Sequence, residues 1–242
     1  MDDGSIDKTA NILRSYSGKI KVIHQKNSGV SAARNNGIKN SSGEWISLLD
    51  SDDEWLPNKL QLEVDYINKN PNIKILQTEE IWIRNGKQIN PKKYHKKKAG
   101  DIFKKSLELC LVSPSAVIFK RSLFDEIGDF DEKLPVCEDY DYWLRTSLKY
   151  PVGLVNEFGI KKYGGHSDQL SQKYWGMDRF RIQSLEKLLD NELLDNAKKK
   201  LVLKTLLKKL DILMIGSKKR GKDVSDLTKK INEYSNIYKT NL

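Results

Sequence analysis

Carboxylates carry most of the candidate chemistry in this chain. The run Leu48-Leu49-Asp50-Ser51-Asp52-Asp53 places three acids at the end of an apolar stretch, residues 45–49. If that stretch is a strand, the acids sit at its C-terminal end, where open α/β sheets place their ligands. Clustered carboxylates repel one another, and a divalent cation relieves the repulsion. A hard ion held by one or two carboxylates, and otherwise by phosphate oxygens and water, is the arrangement expected of Mg²⁺ or Mn²⁺. A solvated turn capping the next helix is the plainer reading, and Asp53 suits it. A second acid pair, Glu138 and Asp139, opens an amphipathic stretch containing Tyr140, Tyr142 and Trp143. The helix dipole favours acids there, yet a carboxylate among aromatic residues is also what a general base for a hydroxyl requires. Asp2-Asp3-Gly4-Ser5 offers acids and a glycine turn that could grip a base and ribose, or only cap a helix. His166 stands between two glycines and Ser167-Asp168; a neutral imidazole could complete a metal shell, although a lone histidine is commonly structural.

These side chains need a scaffold. Residues 6–16 read as a helix with Ile6, Ala10, Ile12 and Leu13 as its apolar positions, and residues 21–24 as a short strand. A helix over 31–39 follows the Asn27-Ser28-Gly29 turn. Residues 45–49 are almost wholly apolar, the pattern of a parallel strand covered on both faces. Helices alternating with strands predict an α/β sheet with crossover connections. Further on, 60–68 reads as a helix, 73–78 and 80–84 as strands, and 92–98 as a mobile lysine-rich stretch. Residues 115–119 read as a strand, 121–128 as a short helix, and 139–150 as a helix ended by Pro151. From Trp175 onward, apolar residues recur at helical spacing, predicting two or three helices with a break within 216–221.

A chain of 242 residues, 38% hydrophobic and 31% charged, suits one sizeable domain with a helical appendage and excludes a disordered class. No apolar run approaches the ~18–20 residues that cross a bilayer, and no leader pattern follows Met1. Cys110 and Cys137 lack CxxC spacing and are expected as buried reduced thiols, which fits a cytoplasmic setting. The net charge is +10, and from Ser171 onward 17 Lys and Arg face 9 Asp and Glu. Lys198, Lys199, Lys200, Lys204, Lys208 and Lys209 are expected on the outward faces of amphipathic helices. They would face an anionic surface such as the inner face of the cell membrane, or only solvent. A nucleic-acid partner is not expected, because no reader module or interleaved aromatic platform accompanies the lysines.

Taken together, the motifs resemble the family 2 glycosyltransferases, inverting nucleotide-sugar enzymes of the GT-A fold. The resemblance rests on Asp-Asp-Gly-Ser-Ile-Asp at 2–7, Asn27-Ser28-Gly29, Ala33-Arg34-Asn35-Asn36-Gly37-Ile38 and Gly43-Glu44-Trp45-Ile46. It continues through Leu49-Asp50-Ser51-Asp52-Asp53 and Glu138-Asp139 with Trp143-Leu144-Arg145. It covers residues 1–175 and leaves 176–242 as a basic helical extension. The fold it implies is α/β, a Rossmann-like nucleotide-binding mixed sheet flanked by helices. The resemblance implies that Asp2 and Asp3 contact the nucleobase and ribose, that Arg34 flanks the nucleotide, and that Asp50 lies near the ribose. It implies that Asp52 binds Mn²⁺ or Mg²⁺ on the diphosphate, that His166 joins it, and that Asp139, with Glu138 beside it, is the base. Arg34 would serve equally as a structural ion pair. The implied reaction is a single displacement with inversion, from a nucleotide-diphosphate sugar to a glycan or lipid-linked acceptor, in cell-surface polysaccharide synthesis.

Members of that family begin with a strand, a helix and a second strand ahead of Asp-Asp-Gly-Ser, a unit of ~30 residues. The sequence in hand starts where that second strand ends. A non-catalytic, shortened remnant of such an enzyme is therefore the alternative expectation, and a nucleic-acid-binding protein the remote one.

Overall fold

The computed structural model describes residues 1–166 and 169–240, so Ser167 and Asp168 of the predicted histidine loop lie outside the described residues. Helices α1 (Thr9–Ser15) and α2 (Val30–Lys39) precede strands β1 (Trp45–Ser47) and β2 (Glu54–Trp55). Helix α3 (Lys59–Lys69) leads into the hairpin β3 (Ile75–Arg84) and β4 (Lys87–Ile89). Then come α4 (Phe103–Ser106), β5 (Val117–Lys120), α5 (Arg121–Ile127), α6 (Glu138–Lys149) and β6 (Gly153–Gly164). The chain ends in α7 (Leu170–Lys173), α8 (Asp178–Leu189), α9 (Asn196–Lys219) and α10 (Ser225–Thr240).

Among the described residues, six strands form one mixed sheet in the order β1-β5-β3-β6-β2, with β4 on β3. Only β3 and β6 run parallel; β1 is antiparallel to β5, with Trp45 opposite Lys120. The expected parallel strand at 45–49 is thus a three-residue antiparallel strand, since its partner is chosen by tertiary packing and not by its apolar content. Residues 21–24 form a single parallel bridge, Asp2 to His24, and no ladder. The two strands read at 73–78 and 80–84 are one strand whose register against β6 shifts on both sides of Glu79. At that irregularity Gly159 is obligatory: a Cβ there would lie 2.3 Å from the Thr78 hydroxyl oxygen.

Two apolar clusters meet across α6. One joins the sheet to α5 and α6 through Phe119, Phe124, Phe130, Tyr142 and Trp143, with the Phe130 and Tyr142 rings stacked at 4.1 Å. The other joins α6 to α4, α8 and α9 through Tyr140, Leu144, Leu185, Val202, Leu206 and Leu210. At about 1.5–3 kcal/mol for each large apolar side chain fully buried, this packing anchors α6 on two sides and so fixes where its N-terminus points. The helices after residue 175 share this core with the body.

Several lysines depart from expectation. Lys97, in the stretch read as mobile, is buried, its ammonium 3.1 Å from Glu80 and 2.8 Å from Gln77. A buried charge survives only with such partners. Lys209 is buried on Asp178 at 3.2 Å, Lys208 pairs with Glu108 at 2.9 Å, and Lys198 reaches the Leu148 carbonyl at 3.4 Å. The six tail lysines therefore do not form one outward face. Gly216 lies within α9, and the break falls at Gly221, whose φ of +64° suits a residue without a side chain.

Candidate functional site

Beyond the C-terminal end of β1 the chain turns, the Asp53 N–H donating to the Asp50 carbonyl at 3.0 Å. Ser115, fully buried in the turn before β5, holds this acidic loop. It accepts the Asp50 N–H at 3.0 Å and donates its hydroxyl to Asp53 at 2.6 Å, while its carbonyl accepts the Trp55 indole at 2.9 Å. Asp53 also accepts the Tyr163 N–H of β6 at 3.0 Å, and burial raises its pKa. It braces the loop against β6 instead of capping α3, whose N-cap is Asn58.

Arg34, on α2, ties the two acid groups together. Its guanidinium donates to Asp50 and to Glu138 at 2.6 Å each. Burial disfavours the charge, but Asp50 and Glu138 outweigh it and hold Arg34 protonated more firmly than usual. Of the two roles open to Arg34, the structure displays the ion pair. Glu138 and Asp139 begin α6 immediately after Cys137, which is held at φ +62°, a strained conformation for a residue with a Cβ. Asp139 accepts its neighbour Tyr140's N–H at 2.7 Å and the Cys110 thiol at 3.5 Å. Burial keeps both thiols protonated, with Cys137 pushed up to about 12; Cys137 is buried as expected, while Cys110 is half-buried.

Glu138 is raised to about 7, chiefly by burial and then by the nearby Asp139, with Arg34 opposing both. A carboxyl lifted above its ordinary 4.5 in the folded state stabilises the fold fully below that value. The contribution is lost as pH rises through about 7. Glu138→Gln keeps the shape and stays neutral, so its melting temperature should gain on wild type between about pH 5 and about pH 8. A pH-independent difference in thermal unfolding would show that Glu138 does not titrate there.

Asp52 and His166 meet from different directions. The His166 Nε2 lies 3.0 Å from an Asp52 carboxylate oxygen, and both side chains are partly open to solvent. His166 follows Gly165, which has φ +93° and where a Cβ would lie 2.5 Å from the Asn85 amide oxygen, so only glycine makes this turn. Among the described residues, no third His, Cys, Asp or Glu completes a metal-holding cluster. One carboxylate and one imidazole fit a Mg²⁺ or Mn²⁺ ion that takes its remaining ligands from phosphate oxygens and water.

A cleft of about 770 Å³ gathers Arg34, Asp50, Asp52, Glu138, Asp139 and His166. Asp2 and Asp3 do not line it, although Met1 does. Asp2 accepts the Ser5 N–H at 2.9 Å and sits 2.9 Å from His24, contacts that lower its pKa to about 2. Asp3 accepts Gln25, Ser28 N–H and Gly29 N–H, all within 2.9 Å, and so organises the turn that starts α2. Sequence reading missed Ser115 and Lys162. Lys162 lines the cleft from β6, donates to Ser113 at 3.2 Å, and is held charged against burial by Glu80, Asp53 and Asp139. Its only sequence signal is a lysine inside a segment that does not read as a strand.

A family model described as "Glycosyl transferase family 2" matches residues 1–128. An uncharacterized glycosyltransferase of Rickettsia felis is 33% identical over 186 residues, 72% of this chain and 30% of its own length. The Escherichia coli UDP-Glc:alpha-D-GlcNAc-diphosphoundecaprenol beta-1,3-glucosyltransferase WfgD is 29% identical over 74% of this chain and 68% of its own. Across the first relatives of this kind, the chain spans about a third to a half of their length. Among solved structures, S. aureus TarS in complex with UDP-GlcNAc superposes with a TM-score of 0.70 at 20% identity, over 87% of this chain and 62% of TarS. The Pyrobaculum calidifontis mannosyltransferase PcManGT in complex with GDP-Man and Mn²⁺ gives 0.58 at 13% identity, over 96% and 73%. These likenesses establish the fold: a curled mixed sheet flanked by helices, GT-A in type.

Proposed function

This chain belongs to glycosyl transferase family 2, and from that premise we propose that it moves one sugar from a nucleotide-diphosphate sugar onto a glycan or lipid-linked acceptor. The observation that carries the reading is the convergence of Asp50, Asp52, His166, Glu138 and Asp139 on one cleft, with Arg34 bonded to both acid groups. Asp52 and His166 would hold Mn²⁺ or Mg²⁺, which supplies positive charge opposite a departing diphosphate. Asp50, fixed by Arg34 and Ser115, would lie near the ribose of the donor. Asp139 removes the acceptor's hydroxyl proton while the acceptor oxygen displaces the diphosphate, and a single displacement of this kind inverts the anomeric carbon. Glu138 serves as a positioning residue through Arg34. Asp2 and Asp3 contact the nucleobase and ribose, beside the 24–29 segment that their carboxylates hold.

The E. coli relative's diphosphoundecaprenol acceptor supports a lipid-linked acceptor and a place in cell-surface polysaccharide synthesis. The Mn²⁺ bound by PcManGT supports the metal. No helix among the described residues is long and apolar enough to cross a membrane. The test is a donor screen that measures nucleoside diphosphate release from UDP- and GDP-sugars with candidate acceptors and Mn²⁺. Release from one donor class, enhanced by one acceptor, is expected. No binding of any nucleotide by calorimetry would sink the enzymatic reading.

A further inference from the structure

We propose that the face bearing Trp175, Ile212 and Ile215, with Arg179, Arg220 and Lys222, docks the protein on an anionic membrane. Trp175 is 45% exposed, and Ile212 and Ile215 are each 53% exposed, three residues apart on α9 and hence neighbours on one face. Three cations crowd the indole: the Arg179 guanidinium carbon lies 3.9 Å from its ring centroid, the Lys222 ammonium 3.8 Å and the Arg220 guanidinium carbon 5.3 Å. Among the described residues none of the three has an ion-pair partner, whereas Lys208, Lys209 and Lys230 each have a carboxylate. Like charges gathered without an anion repel, and an outside anion relieves them.

A Cβ on Gly176 would touch Arg179 and Leu213, and one on Gly216 would lie 3.2 Å from the Arg220 guanidinium, so the end of α9 runs beside the 175–179 segment. Gly216 is one helical turn from Ile212, which places the isoleucines next to Arg220 round the side of α9. Its composition decides the partner. Tryptophan and isoleucine interleaved with basic residues suit a lipid interface, where apolar side chains enter the headgroup boundary and cations meet anionic lipid. A nucleic acid would want an open aromatic face for base stacking. Here two cations already sit within 4 Å of the ring centroid, and the isoleucines would have no use.

The patch also borders the cleft. Met177 and Leu170 line it, and the Met177 carbonyl lies 3.9 Å from the Cys137 sulfur, one residue before Glu138. Docking would bring the base side of the cleft to the membrane surface, where a lipid-linked acceptor presents its hydroxyl. That purpose rests on the proposed function, but the docking itself does not.

Co-sedimentation with phosphatidylglycerol–phosphatidylcholine vesicles, and with phosphatidylcholine alone, tests the proposal. Binding should need the anionic lipid and weaken with salt. The triple variant Arg179→Gln, Arg220→Gln, Lys222→Gln should lower partitioning about 100-fold. The pair Arg220→Gln, Lys222→Gln alone should lower it about tenfold or more, which keeps the test open if Arg179 proves necessary for folding. Ile212→Ser with Ile215→Ser should weaken binding without changing its salt dependence. The control Lys198→Gln, Lys199→Gln, Lys200→Gln lies about 18 Å or more from Ile212 along α9, beyond the screening length, and should change binding by about twofold or less. Absence of anionic selectivity, wild-type binding by the patch variants, or an equal loss in the control overturns the proposal. So does loss of single-stranded RNA binding, and not of vesicle binding, in the triple variant. Vesicle binding retained by a protein that binds no nucleotide would instead count against the enzymatic reading alone.

Discussion

Asparagine at position 139 should lower sugar transfer by about 10²–10⁴-fold while leaving nucleotide-sugar affinity within about twofold. Asparagine keeps the side-chain shape and the oxygen that accepts the Tyr140 N–H. Its amide nitrogen, at the position that now faces the Cys110 thiol, cannot take up a proton. The loss belongs to the step in which the acceptor hydroxyl is deprotonated, so kcat should fall with little change in donor binding. Calorimetry with the nucleotide sugar and nucleoside diphosphate release measure the two quantities separately. Donor affinity lost together with the rate would make Asp139 a donor-binding or structural residue. An equal loss in Glu138→Gln, with Asp139→Asn unaffected, would exchange the roles of the pair.

Removal of the divalent ion should have an effect of similar size. With EDTA present, turnover should disappear, and Asp52→Asn should lower it by about 10²-fold or more while the fold remains intact. Among the described residues, Asp52 and His166 offer two protein donors, so the ion would depend on both of them and on the substrate's phosphates. A readout independent of turnover follows from mass action: nucleoside diphosphate with Mn²⁺ should raise the melting temperature of wild type, by about 2.7 kcal/mol of added stability at a hundredfold excess over Kd. The same addition should do little for Asp52→Asn. Full activity in EDTA would exclude this role for the pair.

The parts of the site legible in the sequence were those whose geometry is local. Asp50 and Asp52 follow an apolar stretch directly, and Glu138 and Asp139 open a helix whose 3.6-residue periodicity is plain, so short-range rules placed them. Expectations failed where the deciding contact was distant in sequence. β6 mixes Leu154, Val155, Phe158, Ile160 and Tyr163 with three glycines, two lysines, asparagine and glutamate, which blurs any alternation, and it is sheltered as a strand because β3 and β2 flank it. With β6 missed, Lys162 and the Tyr163 N–H that braces Asp53 could not be seen either. Ser115 looked like one more strand residue, yet it holds the acidic loop across 65 positions. α1 shows the opposite failure: the helix read over 6–16 begins only at Thr9, so Ile6 lies outside it, and Ile12 within it is exposed, because periodicity reports what a helix could bury and not what packs against it.

By itself, then, the sequence marked candidate residues for the chemistry and most of the helices, because motif spacing and hydrophobic period are short-range properties, while the mixed-sheet fold was implied by the family resemblance of those motifs. Tertiary structure alone decided which of those residues share a cleft. Arg34 reaches Asp50 16 positions away and Glu138 104 positions away, and His166 reaches Asp52 114 positions away. Asp2 and Asp3 bond to the 24–29 segment, and Lys209 is buried where the charge pattern placed it on the surface. Such pairings depend on how α2, α6 and β6 pack around the sheet, and on burial that lifts Glu138 toward neutrality while leaving Arg34 charged. No local pattern of residue types encodes those distances.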